Sequence, residues 1–256
     1  MKINLLIGVL ILGVSGHAHA GWERLSPTTI QLTGEVGISS YEEYTDVAAS
    51  GYMKVILDSP GGTPLVALKI AEDISSRDVE VVVDGICASA CANYLALAGN
   101  NLTVACDSIV GWHGTLPTPH EAAIEMQAQG EPDDLIKAKA KWLTEFHDRE
   151  QRYLKKVGVS FALLTDSVQI VRDDNIAPVV SFELDQTTGD YSVSRSASLW
   201  IPTVKVLREY GVNTSGFCGQ QTRDDIVLTL EKRGWKILFS SNGRKVNTAD
   251  STERGK

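Results

Sequence analysis

The sequence predicts an α/β fold in which a mainly parallel sheet carries packed helices. Apolar strands alternate with helical segments at short spacing between residues 30 and 113, which is typical of βαβ units. The helix that begins near Ser89 is almost entirely apolar, so we expect it to be buried on every side. A later charged segment predicts a long helix that protrudes from this core.

Apolar spacing and turn residues assign the segments up to residue 113. Val66, Ile70 and Ile74 share one helical face, and Thr63 and Pro64 suit the start of that helix. The predicted strands are 30–36, 54–58, 79–83 and 102–110, and the predicted helices are 39–50, 63–74 and 88–98.

The segment 120–157 is charged and rich in Ala, Glu and Lys, with a break at 130–132 and a long helix from Asp133. We expect this helix to be partly solvated and partly an arm for contacts between copies of the chain, which predicts a homo-oligomer. Its apolar stripe consists of Trp142, Leu143, Phe146 and Tyr153. Further on we predict turns and a hairpin over 166–199, helices at 205–210 and 222–233, and a strand at 235–239.

The first twenty residues have the pattern of a cleaved signal peptide. Lys2 precedes an apolar run over 5–14, and Ala18-His19-Ala20 ends in a cleavage pattern before Gly21. A membrane anchor is the alternative, but the run is shorter than the roughly 20 residues that span a bilayer. The sequence therefore predicts cleavage after Ala20 and a periplasmic or secreted protein.

Charge and hydropathy restrict the partners. The chain has 256 residues and a net charge of −8, with no run of Lys or Arg, so we expect no nucleic-acid partner. No second apolar run is long enough to span a membrane, so we expect no membrane span after cleavage.

Four cysteines remain after the predicted cleavage, and an oxidising compartment favours disulfides between them. We favour a bond between Cys87 and Cys91, which flank one turn, and Cys91 with Cys106 is the alternative. Free buried thiols are also compatible with the count. No His/Cys pair follows at zinc-finger spacing, so no metal site is predicted.

A glycine-rich turn follows the strand 54–58, in the sequence Leu57-Asp-Ser-Pro-Gly-Gly62. Two glycines before a helix allow backbone N–H groups to face a ligand. Any strand-to-helix turn needs such residues, however, and no phosphate-binding Lys follows. The turn is therefore informative only together with other residues.

A serine and a histidine are the candidate catalytic pair. Ser89 lies where a strand runs into the apolar helix, so the helix dipole would favour a developing negative charge there. A simple N-cap serine is the alternative, and the G-x-S-x-G motif is absent. His113 follows a strand and can serve as the base that such a serine requires. The other mature histidines, His120 and His147, lie in charged or solvent-facing segments.

Together these pieces resemble, in order and spacing, the proteolytic subunit of the Clp-type serine peptidases. The resemblance is strongest over 30–113, and the Cys-Ala-Ser-Ala-Cys run is most similar to an exported bacterial branch of this superfamily. The residues that carry it are 30–36, 57–62, Ala88 to Ala90, Ala98-Gly99, Asp107-Ser108, His113 and 201–212.

The resemblance implies a Clp-protease/crotonase-like spiral of βαβ units in one domain, residues 21–256. Its core would cover 30–166, followed by an insertion at 167–198. The C-terminal helices and strand would lie within 199–240, before a polar tail at 241–256.

The resemblance also assigns roles. Ser89 matches the nucleophile and His113 the general base, while the N–H groups of Gly62 and Ala90 match the oxyanion hole. Asp166 is the expected orienting carboxylate; Asp173, Asp174 and Asp190 stay open as alternatives. No cofactor is implied.

The leading function is therefore an exported serine peptidase that cleaves peptides or flexible protein segments. A silent peptide-binding or assembly protein is the second class, since Trp112 and the insertion could block the site. A crotonase-type acyl-CoA enzyme would not need the Ser–His pair, and CoA is not expected outside the cytoplasm. A Ser–Lys dyad is a near variant, which the spacing of His113 disfavours.

Overall fold

The structure is a computed structural model that describes residues 21–173, 180–184, 191–195, 198–234 and 237–241. The predicted signal peptide, Asp174, Asp190 and most of the polar tail lie outside the described residues. The strands are β1 (Gly21–Ser26), β2 (Thr29–Thr33), β3 (Lys54–Ser59), β4 (Glu80–Ala88), β5 (Asn101–Val104), β6 (Ile109–Gly111), β7 (Val180–Leu184), β8 (Tyr191–Arg195), β9 (Ser198–Trp200), β10 (Thr214–Phe217) and β11 (Leu238–Ser240). The helices are α1 (Ser40–Ala48), α2 (Pro64–Ile74), α3 (Ala90–Asn93), α4 (Pro119–Ala128), α5 (Asp133–Lys156), α6 (Ala162–Asp173), α7 (Val204–Glu209) and α8 (Arg223–Arg233).

The main sheet is mixed and mostly parallel, as the sequence predicts. Its order is β1-β2-β3-β4-β5-β10, and β6 pairs with the end of β4. All neighbours run parallel except β1, which forms an antiparallel hairpin with β2. Strand β1 was not predicted, because only one of its six residues, Trp22, is buried and its apolar pattern is therefore weak.

Strand β4 changes partners in its middle. Its first half pairs with β3 and β5, whereas its second half pairs with β6 in place of β5; β3 stays on the other side, and a register shift separates Leu57 from the pair of Ser59 with Cys87. Two side chains stabilise the shift: Asp58 Oδ1 accepts the N–H of Ile86 at 2.9 Å, and Ser108 Oγ accepts the N–H of Gly85 at 2.8 Å. Gly85 has φ +133°, and an added Cβ would collide with the Asp58 carboxylate. The bend thus directs the end of β4 towards β6.

Three predicted elements need correction. The predicted strand 102–110 is two strands, because the chain turns at Asp107, where φ is +58°. The predicted helix 88–98 is only α3 and a 3-10 turn (Leu95–Leu97), because Tyr94 leaves the helical conformation between them. The last strand, predicted at 235–239, is β11 at Leu238–Ser240, and residues 235 and 236 lie outside the described residues.

The segment after Asp166 differs in part from the prediction of turns and a hairpin. Helix α6 continues through Asp166 to Asp173, so the segment does not begin with a turn. The predicted hairpin is present as β7 and β8, which pair antiparallel.

Helices α4 and α5 form a hairpin beside the core, and α5 also contacts α2. Helix α5 is long, as predicted, at 24 residues. Leu143, Phe146 and Tyr153 on its apolar stripe are buried, whereas Trp142 is 38% exposed and stacks on Phe146. Among the described residues, no helix is both long and apolar enough to cross a membrane.

Candidate active site

Ser89 occupies an unusual turn between β4 and α3. Its backbone has φ +56° and ψ −126°, a combination that residues other than glycine rarely adopt. It takes the N-cap position of α3, yet its side chain makes no capping hydrogen bond. The structure therefore argues against the simple N-cap interpretation, for which an extended backbone is typical. The residue is half-buried.

Two disulfides are present, and one of them spans the Ser89 turn. Cys87 and Cys91 are bonded across the Ser89 turn with Cα atoms 5.3 Å apart, as predicted. Cys106 pairs with Cys218, with Cα atoms 4.7 Å apart, so the alternative bond from Cys91 to Cys106 is excluded. No free cysteine remains among the described residues. Both bonds are consistent with an oxidising compartment.

The glycines after β3 lie directly against the Ser89 turn. A Cβ added to Gly61 would be 2.6 Å from the Ala88 carbonyl oxygen and 2.8 Å from Cβ of Ser89. Gly62 lies beside Val36, which bonds to the residues before and after it: Val36 N–H donates to Gly61 O, and Val36 O accepts from Thr63 N–H. This pattern leaves the Gly62 N–H facing away from Val36.

The second backbone donor belongs to Ala90. It is the first residue of α3, and the first N–H groups of a helix have no partner within the helix. An added Cβ on Gly61 would be 2.9 Å from the Ala90 nitrogen. The predicted pair of donors, Gly62 and Ala90, thus belongs to two segments that contact each other beside Ser89.

Backbone pairing brings the His113 segment to the same place. Ala88 pairs with Gly111, and Ser89 N–H donates to Gly111 O at 3.2 Å. Beyond His113, the Gly114 carbonyl accepts from Nδ2 of Asn93 at 2.7 Å. The chain on each side of His113 is therefore bonded to the turn or helix that carries Ser89.

Trp112, the residue before His113, is part of the core. It is fully buried, its ring centroid is 6.4 Å from that of Trp200, and the two backbones exchange hydrogen bonds of 2.8 and 2.6 Å. The Trp112 side chain therefore lies in the core against Trp200, and its backbone bonds hold the residue immediately before His113.

The His113 ring is accessible to solvent and its pKa is lowered. The residue is exposed by its accessible surface, although enough protein surrounds the ring for desolvation to lower the pKa below the ordinary value. Contact of the residue with solvent limits this effect of burial. The lowered pKa favours the neutral imidazole, which is the form that can accept a proton.

Asp166 lies on α6, which packs beside the His113 segment. The residue is buried, and its Oδ2 accepts the hydroxyl of Tyr210 at 2.8 Å. A Cβ at Gly114 would collide with Val168 on the same helix, so α6 and the residue after His113 are in contact.

The hydrogen bonds of the described residues join neither Ser89 to His113 nor His113 to Asp166. The structure thus brings together the backbone segments that carry Ser89, His113 and Asp166, and the Asp166 carboxylate accepts the Tyr210 hydroxyl. Of the alternatives to Asp166, only Asp173 lies within the described residues, at the end of α6.

Some residues that position this site were missed in the sequence. Gln220 is fully buried, accepts Val110 N–H at 2.9 Å and donates to Val110 O at 3.0 Å, so it occupies the free edge of β6. Nothing near it in sequence indicates that role. Glu150 is also fully buried, and a signal existed: it falls on the apolar stripe of α5, where a lone carboxylate is out of place.

The sequence matches no protein-family model, and it matches no curated protein.

Proposed function

We propose that this chain is an exported serine peptidase with a Clp-like spiral fold. Ser89 is the nucleophile, His113 the general base, and Asp166 the carboxylate that orients the base. The substrates are peptides or flexible protein segments, and the reaction is acyl transfer to Ser89 followed by hydrolysis. The two disulfides support a periplasmic or extracellular location.

The observation that carries this proposal is the backbone of Ser89. A non-glycine residue at φ +56° and ψ −126° costs on the order of 1–3 kcal/mol, and such strain is concentrated at functional sites. A strained strand-to-helix turn is also how α/β-hydrolases expose their nucleophile. A serine that only capped the helix would not need this conformation.

The proposed chemistry follows from the groups around that turn. Neutral His113 removes the hydroxyl proton as Ser89 attacks the substrate carbonyl, and it returns the proton to the leaving amine. The N–H groups of Gly62 and Ala90 donate to the oxygen that becomes negative. Water then attacks the acyl-enzyme, again with His113 as the base.

A catalytically silent peptide-binding protein is the second candidate. The observation that favours it is the missing hydrogen bond between Ser89 and His113. Catalytic hydrogen bonds are often long in ligand-free enzymes. The missing bond is therefore also compatible with a peptidase, and the silent binder is the second candidate.

A fluorophosphonate probe separates the two functions, because it reacts with an activated serine. We expect the probe to label Ser89 in the mature, oxidised protein. Ser89→Ala should abolish labelling, and His113→Ala should slow it by several orders of magnitude. Ser76→Ala and His120→Ala are matched controls at exposed positions. Folded protein that stays unlabelled from pH 6 to 9 would favour the silent binder.

A further inference from the structure

A buried hydrogen-bond network on α5 reaches the segment that follows His113. Glu150 is fully buried, and its Oε1 accepts two hydroxyl groups at 2.6 Å, those of Tyr94 and Thr115. Its Oε2 lies 3.1 Å from Nδ1 of His147. One carboxylate therefore joins helix α5, the residue after α3, and a residue two positions beyond His113.

His147 adds a second contact from α5 to the same segment. Its Nε2 lies 3.1 Å from the carbonyl oxygen of Pro117, while its Nδ1 faces Glu150. A carbonyl and a carboxylate are both acceptors, so both bonds exist together only when the ring carries two protons. The His147 side chain is 13% exposed and Glu150 is fully buried, so the bond between these two side chains is largely shielded from water.

These contacts hold the chain after His113 at three residues between Gly114 and Pro117. Gly114 is bonded to Asn93, Thr115 to Glu150, and Pro117 to His147. Two of the three come from α5, whose sequence is separated from this segment by α4.

We propose that Glu150 is a positioning residue, which sets the place of the His113 imidazole by holding Thr115 and by keeping His147 bonded to Pro117. The role assigned to His113 rests on the proposed function. The hydrogen bonds that fix residues 114–117 do not depend on it. Glu150 itself touches no reacting atom; it acts through the backbone from 113 to 117.

The protonation of His147 gives this arrangement a pH dependence. The hydrogen bond with Glu150 is the largest of the effects that raise the pKa of His147 above its ordinary value. Asp148 acts in the same direction, and Tyr94 stays protonated because burial raises its pKa well above the usual range. The stabilisation is therefore complete below the unfolded pKa and is lost as pH rises through the folded pKa of His147. A neutral ring can donate to only one of its two acceptors.

The test uses the full mature protein and three substitutions. Glu150→Ala removes the three hydrogen bonds of the carboxylate, those with Tyr94, Thr115 and His147. Thr115→Val removes the hydroxyl that bonds to Glu150 and keeps the shape of the side chain. It therefore tests the same contact when Glu150→Ala fails to fold. Glu150→Gln can keep every contact, because its amide can donate to Nδ1 of a neutral His147 while Nε2–H still donates to Pro117. Glu145→Ala, exposed on the same helix, is the matched control.

The first measurement is amide hydrogen exchange over residues 111–118. We expect faster exchange at Trp112, whose N–H bonds to Trp200, in Glu150→Ala and Thr115→Val. Exchange in β2 and β3 should be unchanged, and Glu145→Ala should match the wild type. Unchanged exchange at Trp112 in both variants would overturn the proposal, whether or not Ser89 reacts with the probe.

The second measurement is the pH profile of fluorophosphonate labelling at Ser89. The wild-type rate should fall at low pH, as His113 is protonated, and fall again at high pH, as His147 loses its proton. Glu150→Ala should react about tenfold to a hundredfold more slowly at neutral pH, which is the scale of a small misplacement in an active site. Glu150→Gln should recover most of that rate and lose the alkaline decline.

The two proposals fail in different ways. A wild-type protein without labelling rejects the peptidase function, and hydrogen exchange then decides the hold on the segment alone. Labelling with the same alkaline decline in Glu150→Gln as in the wild type would show that the pair does not position the base. If Glu150 had only a structural role, Glu150→Gln would change stability but would keep the alkaline decline in the labelling rate.

Discussion

Replacing Gly61 with alanine tests whether the glycine turn and the Ser89 turn must touch. The new Cβ would be 2.6 Å from Ala88 O, 2.8 Å from Cβ of Ser89 and 2.9 Å from the Ala90 nitrogen. Two of these atoms are backbone, so no flexible side chain can move aside. The φ of +99° adds a conformational cost for any residue with a Cβ.

The size of the effect can be worked out from a matched glycine. Gly51 also has positive φ, at +76°, but an added Cβ there meets nothing within 4 Å. Gly51→Ala should therefore cost only the backbone term, about 1–2 kcal/mol. Gly61→Ala adds overpacking of about 1–3 kcal/mol, for a total of about 2–5 kcal/mol.

Urea denaturation of both variants provides the assay, with the free energy of unfolding compared at a constant m value. The fluorophosphonate labelling rate of Gly61→Ala should also fall, because the Ala90 N–H is pushed away from Ser89. The reasoning is refuted when both alanine variants lose equal stability, since the contact with the Ser89 turn would then have no cost.

Two further predictions concern the disulfides and the base. Removing Cys106–Cys218, which links residues 112 positions apart, should lower the free energy of unfolding by about 4–5 kcal/mol. Removing Cys87–Cys91, which links residues 4 positions apart, should lower it by only about 2 kcal/mol. Urea denaturation of the two double-alanine variants measures both values, and equal losses would contradict the dependence on loop length. The acid decline in serine labelling should have its midpoint below about pH 6.5, because burial lowers the pKa of His113; a midpoint above that value would rule out this ring as the base. The same lowered pKa makes the contribution of His113 to stability fall as pH drops below its unfolded pKa.

The parallel part of the sheet could be predicted because its strands are short apolar runs separated by turn residues. Val55 and Leu57 on β3, and Val81 and Val83 on β4, are fully buried, and such residues identify core strands directly. The first helix after β3 was also predictable, since Pro64 starts it and its apolar positions are spaced for one face.

The interruption after Ser89 could not be predicted from local sequence. An apolar run from 88 to 98 satisfies the pattern of a buried helix, yet Tyr94 takes φ −129° and ψ −60°. Its hydroxyl donates to Glu150 and its carbonyl accepts the hydroxyl of Tyr153 at 2.6 Å. Both partners lie more than fifty residues away, so tertiary hydrogen bonds override the local helical preference.

The candidate site was predictable to the extent that its residues are turn residues. Ser89, Gly62 and His113 each follow a strand, and the carboxyl ends of parallel strands meet at one edge of a sheet. Gln220 and Glu150 come from elsewhere in the chain. Their roles arise from burial and long-range hydrogen bonds, which no local spacing encodes.

The bend in β4 explains why the segments that carry Ser89 and His113 lie side by side. A straight β4 would continue between β3 and β5, and β6 would have no place beside Ala88. The Asp58 and Ser108 side chains accept the two N–H groups freed by the register shift, so they stabilise the bend that allows β6 to pair. Because the backbones of Ser89 and Gly111 are then bonded to each other, we expect any movement that joins Ser89 to His113 to be confined to their side chains. Changes at Asp58 should therefore reduce stability and labelling together, whereas changes at the imidazole should reduce labelling alone.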